Sequence, residues 1–280
     1  MHGIYIAALL TTAIALAIFG TALRSLRVRS PANERLLWLA GLIALPLQPL
    51  AFYFVRVPLD NWLATQLVHG SPTYLWLISL YAPVTEEAAK LVPLLIPAIR
   101  RDISPANFGR YAIAIGLGFA VGEMWFIAEQ IARMPAFHGI PFYELGGYVG
   151  ERLMTCVFHS LFVGVALWRL RRGFGLGVLG AMTAHWLGNF PIFLMAWNVS
   201  GMGKTFWAAV VQGWLLLYFL GALALLSYFV FGRVSPGLLF YGRRKCPECG
   251  GEYDASLLAL NFGPSRYERC PHCRHWHWTR

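Results

Sequence analysis

The stretch VTEEAAKL, residues 84–91, places Glu86, Glu87 and Lys90 inside the apolar run TYLWLISLYAPVTEEAAKLVPLLIPAI at 73–99, which holds no other charge. Further apolar runs carry Glu123, His159, and the pair His185 and Asn189. A charge at the centre of a spanning helix costs about 2.5–3.5 kcal/mol on insertion scales, so such residues face a bundle interior or a wet cavity and mark function. Paired carboxylates in a medium of low dielectric can divide into a base and a protonated acid. A neutral imidazole can orient water, donate to an oxyanion or ligate a metal. Together these groups can activate a water and protonate a leaving amine, which is peptide hydrolysis within a membrane. They can equally form a Glu/His metal site that brings bound water to a pKa of about 7. No serine with a neighbouring base stands out, Cys156 is a lone thiol, and there is no H-E-x-x-H pattern.

Helical spacing states which groups can cooperate. Glu86 and Lys90 are i and i+4 and share a face, so the lysine is expected to partner that carboxylate. Glu87 is turned about 100° away. Phe119 and Glu123, His185 and Asn189, and Arg152 and His159 are each placed on a common face. The glycines of GLGFAVGEM, Gly118 and Gly122, form a G-x-x-x-G pair that admits a second helix at close range. Pro83 is positioned to kink the run at 73–99 beside the carboxylates.

The elements that must hold these residues are membrane spans. The chain has 280 residues, 58% hydrophobic and 13% charged, with a mean hydropathy of +0.55, against about 25% charge in soluble domains. Seven runs reach the roughly 20 residues that a span needs, at about 4–22, 36–55, 73–99, 107–133, 148–168, 174–198 and 206–231. The fold class read from this is an all-α polytopic membrane protein, residues 1–235, with a small C-terminal β domain at 242–280. Arg24, Arg27 and Arg29 follow the first run rather than precede it, which reads as a retained anchor with its N-terminus outside. On this count eighteen of the 23 Lys/Arg residues fall on one side, including Arg35, Arg100, Arg101, Arg110, Arg169, Arg171 and Arg172. The positive-inside rule then puts the C-terminus in the cytoplasm of what reads as a prokaryotic plasma membrane, and explains the net charge of +10 without nucleic acid. Arg56, Arg133 and Lys204 are assigned to the outer loops, and residues 57–72 to an interfacial segment. Counted along each run at about 1.5 Å per residue, Glu86, Glu123, His159 and His185 come out near a common depth at mid-membrane.

E-E-x-x-K at Glu86, Glu87 and Lys90, F-x-x-x-E at Phe119 and Glu123, then His159 and His185 resemble the PrsW-type intramembrane proteases. These belong to the wider CAAX-prenyl-protease and bacteriocin-processing (CPBP) superfamily. The resemblance covers about residues 73–195. It implies that Glu86 and Glu87 are the catalytic pair, with Glu123 as a second-motif partner and His159 and His185 as the assisting histidines. It also implies substrates that are membrane-anchored proteins, of the anti-sigma-factor kind. The prenyl-protease branch carries E-E-x-x-x-R and a histidine in its second motif. Here Lys90 comes one residue earlier and Glu123 takes the histidine's place, which argues against prenylated substrates. His185-x-x-x-Asn189 does resemble that branch's third motif, so either histidine is a candidate for the essential one. Some relatives have non-proteolytic roles.

CPECG at 246–250 and CPHCR at 270–274 present Cys246, Cys249, Cys270 and Cys273 in two C-x2-C knuckles. That pattern suits four thiolates around a structural Zn2+, and a reducing cytoplasm disfavours disulfides. A segment this small needs the metal's binding energy to fold. The basic Arg243, Arg244 and Lys245 read as contacts with anionic lipid rather than nucleic acid. Three alternatives to a protease stay open: a haem held by His159 and His185, a proton-coupled transporter, or a non-proteolytic relative that binds membrane proteins.

Overall fold

The structure is a computed structural model that describes residues 2–27, 30–170, 173–197, 203–231, 243–254, 260–262 and 265–279. Arg29, Arg171, Arg172 and the expected domain boundary at 235–242 lie outside the described residues. The chain divides into two compact units, Met1–Ala222 and Leu223–Arg280.

The first unit is helical. Its long helices are α1 (Gly3–Ser25), α8 (Phe108–Ala132), α9 (Gly146–Trp168), α10 (Phe174–Trp197) and the greater part of α11 (Lys204–Phe231). Each is long and apolar enough to cross a membrane. A sixth candidate is a pair bent by 40°: α2 (Glu34–Ala44), followed by α3 (Leu47–Ala51), a π-helical turn (Phe52–Arg56) and α4 (Val57–Gln66). The bend falls at Pro46, and the helix then runs on to Gln66 through residues expected to lie in the interface.

The run at 73–99 is not one helix. It is divided into α5 (Pro72–Ser79), α6 (Tyr81–Lys90), a 3-10 turn (Val92–Leu95) and α7 (Pro97–Asp102). Proline supplies the reason: each of the four pieces has one in its first turn, at Pro72, Pro83, Pro93 and Pro97. A proline lacks the N–H for the i−4 bond and its ring collides with that carbonyl, so a helix starts at it far more readily than it continues through it. Apolar content survives this division while helical continuity does not.

α8 is the centre of the unit, with 78% of its apolar window buried against 11% for α11. Glycine lets the neighbours in. A methyl added at Gly118 would run into the Gly41 carbonyl of α2, one at Gly122 into the Leu45 carbonyl just past its end, and one at Gly116 into the Ser160 backbone of α9. The G-x-x-x-G pair therefore receives α2, not the helix that carries Glu86. At one end Arg110 is buried and donates to both Glu34 oxygens, at 2.9 and 3.0 Å, tying α8 to the start of α2.

The second unit holds the end of α11 and two small sheets. β1 (Arg243–Lys245) pairs antiparallel with β2 (Glu252–Asp254), while β3 (Leu260–Phe262), β4 (Ser265–Arg269) and β5 (Trp276–Thr279) form an antiparallel sheet in that order. The two C-x2-C turns repeat one geometry. Gly250 N–H donates to the Cys246 carbonyl and Arg274 N–H to that of Cys270, both at 2.9 Å. Gly250 (φ 68°) and Arg274 (φ 62°) both take the left-handed backbone this turn requires.

Candidate active site

α6 is ten residues long and presents Glu86, Glu87 and Lys90 almost wholly buried, 4%, 2% and 0% exposed. The break at Leu80 frees α6 from the line of α5 and sets it against α10 and α3. Lys90 Nζ lies 2.6 Å from Glu87 Oε1 and 3.9 Å from Glu86 Oε2. The lysine thus keeps the expected ion pair with Glu86 at longer range and makes its hydrogen bond to Glu87, at i+3. A rigid helix brings i+3 and i+4 equally close, and the third group decides between them. Here His185 Nδ1, from α10, sits 2.6 Å from the same Glu87 oxygen. Phe119 and Phe162 cover the ammonium at 4.7 and 5.3 Å from their ring centres, a setting that favours a cation.

Glu86 is held by a residue assigned above to an outer loop. Arg56 Nη2 bonds Glu86 Oε1, and its Nε donates to Thr85 Oγ1 at 2.7 Å. Arg56 closes the π-helical turn, where Val57 N–H reaches back five residues to the Phe52 carbonyl. Pro58 stands next in the chain, and its ring would strike the Phe54 carbonyl in an ordinary α-turn, so the widened turn relieves the clash. The signal for Arg56 was available in PLAFYFVRVPL, an arginine alone within an apolar run.

A second cluster faces the first. Glu123 of α8 accepts from His159 Nε2 at 2.6 Å and pairs with Arg152 Nη1 at 3.1 Å, both from α9. Arg152 also meets Glu151. The rings of His159 and His185 are 6.1 Å apart, so the two clusters adjoin. Glu86, Glu123, His159, His185 and Asn189, together with Arg56 and Arg152, line one cavity of about 710 Å³, while Glu87 and Lys90 stand behind it. Three lining residues keep a buried polar atom that has no hydrogen-bond partner among the described residues: Gln48 Oε1, Arg152 Nε and His159 Nδ1. Buried atoms of this kind are ordinarily served by water or a ligand.

α11 closes one side of the cavity through Leu215, Leu216 and Phe219. Pro191 lies within α10 and leaves the Leu187 carbonyl without its usual helical donor. Trp214 Nε1 donates to that oxygen at 3.1 Å, and Tyr218 Oη donates to the Ala184 carbonyl at 2.5 Å.

Each buried carboxylate of the two clusters has a cation beside it, and Arg152 is shared with Glu151, which also lines the cavity. Glu86, Glu87 and Glu123 are met by Arg56, Lys90 and Arg152 respectively. One oxygen of each is committed to a cation, which leaves a poor donor set for a divalent ion.

The cysteine knuckles are the opposite case. Among the described residues, Cys246, Cys249, Cys270 and Cys273 are the group of three or more metal-ligating side chains whose ligand atoms lie together, within 4.8 Å. Cys246 and Cys273 sulfurs are 3.6 Å apart, and those of Cys249 and Cys270 3.8 Å. A tetrahedral ion with metal–sulfur bonds of about 2.3 Å spaces its sulfurs at about 3.8 Å, so the residues fit a four-thiolate metal site. Burial opposes ionisation of the Cys270 thiol, but the backbone N–H groups of Cys273 and His272 outweigh it and draw its pKa down to about 6. His277 backs the cluster, 3.9 Å from Cys246 Sγ and 2.6 Å from the Tyr253 hydroxyl.

No family model matches the chain, and no curated protein and no solved structure matches it.

Proposed function

We propose that the helical unit is an intramembrane endopeptidase of the PrsW type, with Glu86 as the base that activates water. The broken segment α5–α7 would then complete the seventh crossing and carry the site to mid-membrane. The observation that carries this reading is the position of Glu86 Oε2. Its sister oxygen is taken by Arg56, while Oε2 stands 3.9 Å from His185 Nε2 on the cavity wall. A water about 2.8 Å from each would bridge that gap.

In the proposed reaction Glu86 takes a proton from this water, and the hydroxide attacks the peptide carbonyl carbon. Arg152 on the cavity wall, whose Nε has no partner among the described residues, stabilises the oxyanion. Glu86 then returns the proton to the amide nitrogen as the C–N bond breaks, giving a carboxylate and an amine. Glu87, held between Lys90 and His185, fixes the imidazole's orientation. It is a positioning residue on this reading, and Glu123 does the same for His159. Asn189, one helical turn beyond His185, contributes to the wall beside the substrate. The step as written draws on no second metal, each of Glu86, Glu87 and Glu123 having a cation beside it.

Support for a haem is weaker. His159 Nε2 and His185 Nδ1 are both engaged by carboxylates, and a haem leaves Lys90 and the glutamates without a role. The four-thiolate site is read as structural zinc in a cytoplasmic ribbon.

The test compares N-terminal peptide profiles of membranes from cells making the wild type or Glu86→Gln at equal abundance. New termini within or beside spanning segments, present only with the wild type, are expected. Identical profiles would sink the protease reading and leave transport or binding of membrane proteins.

A further inference from the structure

On the C-terminal sheet, Tyr267 stands opposite Trp278 and Arg269 opposite Trp276. Side chains alternate along a strand, so these four share one face and Glu268, His277 and Thr279 share the other. The inner face is closed, with Thr279 Oγ1 donating to buried Glu268 at 2.7 Å and His277 bonded to Tyr253. The outer face is open: Trp276 and Trp278 are 53% and 55% exposed, and Arg269 is exposed. Tyr267 packs between them, 5.4 Å from the Trp276 ring and 5.1 Å from that of Trp278. The thiolate cluster does not call for this arrangement. An aromatic patch presented to water by a small domain marks a contact surface.

We propose that this face docks onto the headgroup layer of an anionic membrane. Three observations select that partner. Tryptophan, tyrosine and arginine are side chains that settle at the water–lipid boundary, the rings among the upper acyl chains and the guanidinium at the phosphates. The carboxylate of these two strands, Glu268, is turned inward, so the outer face meets phosphate without repulsion. Covalent reach supplies the third. Eleven residues, 232–242, separate α11 from β1, and fully extended they span at most about 40 Å.

The sheet therefore stays near the end of a helix apolar enough to cross a membrane. Tethering at this length gives an effective concentration on the order of millimolar, so an interaction too weak to recruit a soluble partner suffices. A single-stranded nucleic acid would also stack on three aromatic rings. It would have to be captured from solution, however, and Arg269 alone on this face is a poor track for its phosphates.

The test uses the full-length protein in nanodiscs containing lipid brominated close to the headgroup. Tryptophan fluorescence of the wild type minus that of Trp276→Phe/Trp278→Phe isolates these two residues among the eleven tryptophans. One bound metal per chain shows that the variant's ribbon is intact. Should the double variant lose its metal, Arg269→Glu keeps both tryptophans and is expected to weaken the wild-type quenching. In phosphatidylglycerol discs the isolated signal should be quenched by about half or more. That quenching should fade in phosphatidylcholine discs or at about 0.5 M salt, where surface charge is screened. An isolated signal indifferent to brominated lipid overturns the proposal. So does one quenched by oligouridylate while brominated lipid has no effect.

Discussion

Replacing Lys90 by methionine tests the polar network directly and needs no substrate. Lys90 is fully buried, and its ammonium lies 2.6 Å from Glu87 and 3.9 Å from Glu86. At an effective dielectric constant of about 20, a pair at 2.6 Å gains about 6 kcal/mol of Coulomb energy, much of which desolvation cancels. The variant strands Glu87 with His185 as its remaining partner. A stranded carboxylate escapes by taking up a proton, which from the ordinary glutamate value costs about 3.7 kcal/mol at pH 7 and so caps the penalty.

The expected loss is therefore about 3–4 kcal/mol at pH 7, read as unfolding free energy in detergent micelles. It should shrink at pH 5, where protonation costs only about 1 kcal/mol. Methionine keeps nearly the volume of the lysine stem, so little of the loss is packing. The double variant Lys90→Met/Glu87→Gln removes both charges and should recover about 2 kcal/mol or more of the loss. Additive single effects, or a Lys90→Met protein within about 0.5 kcal/mol of wild type, would refute a buried ion pair at this place.

Other expectations follow from the same geometry. Gly122→Val puts a side chain into the Leu45 carbonyl and should cost about 3 kcal/mol or abolish folding, whereas Gly146→Ala, with open space around it, should change stability little. Trp214→Phe deletes the donor to the Leu187 carbonyl that Pro191 leaves open, and should lower stability by about 1 kcal/mol in the same unfolding assay. Arg274→Gly removes a side chain from left-handed backbone, and should stabilise the four-cysteine unit by about 1 kcal/mol, read for a metal-loaded sample as greater resistance to a chelator. If the four cysteines hold a metal, Cys270→Ser should lower the metal content found by elemental analysis and leave the helical circular dichroism of the first unit in place.

The sequence by itself determined the class of the molecule and singled out most of the polar residues that meet at the cavity. Apolar runs can be counted without a structure, and five of the seven return as long helices because length and hydropathy are local properties. The four cysteines are legible for the same reason, since a knuckle is a short-range turn. Charged residues in apolar runs singled out Glu86, Glu87, Lys90, Glu123, His159 and His185, and they do converge, because burial obliges each to find a partner.

Who partners whom was decided only in three dimensions. Lys90 gave its hydrogen bond to Glu87 because His185 arrives at the same oxygen from another helix. Arg56 reached Glu86 because a π-turn ahead of Pro58 changes its direction. The run at 73–99 lost its continuity to prolines that an average hydropathy does not weigh. Periodicity places a side chain on a face of its own helix, and which neighbour that face meets is a property of the packing.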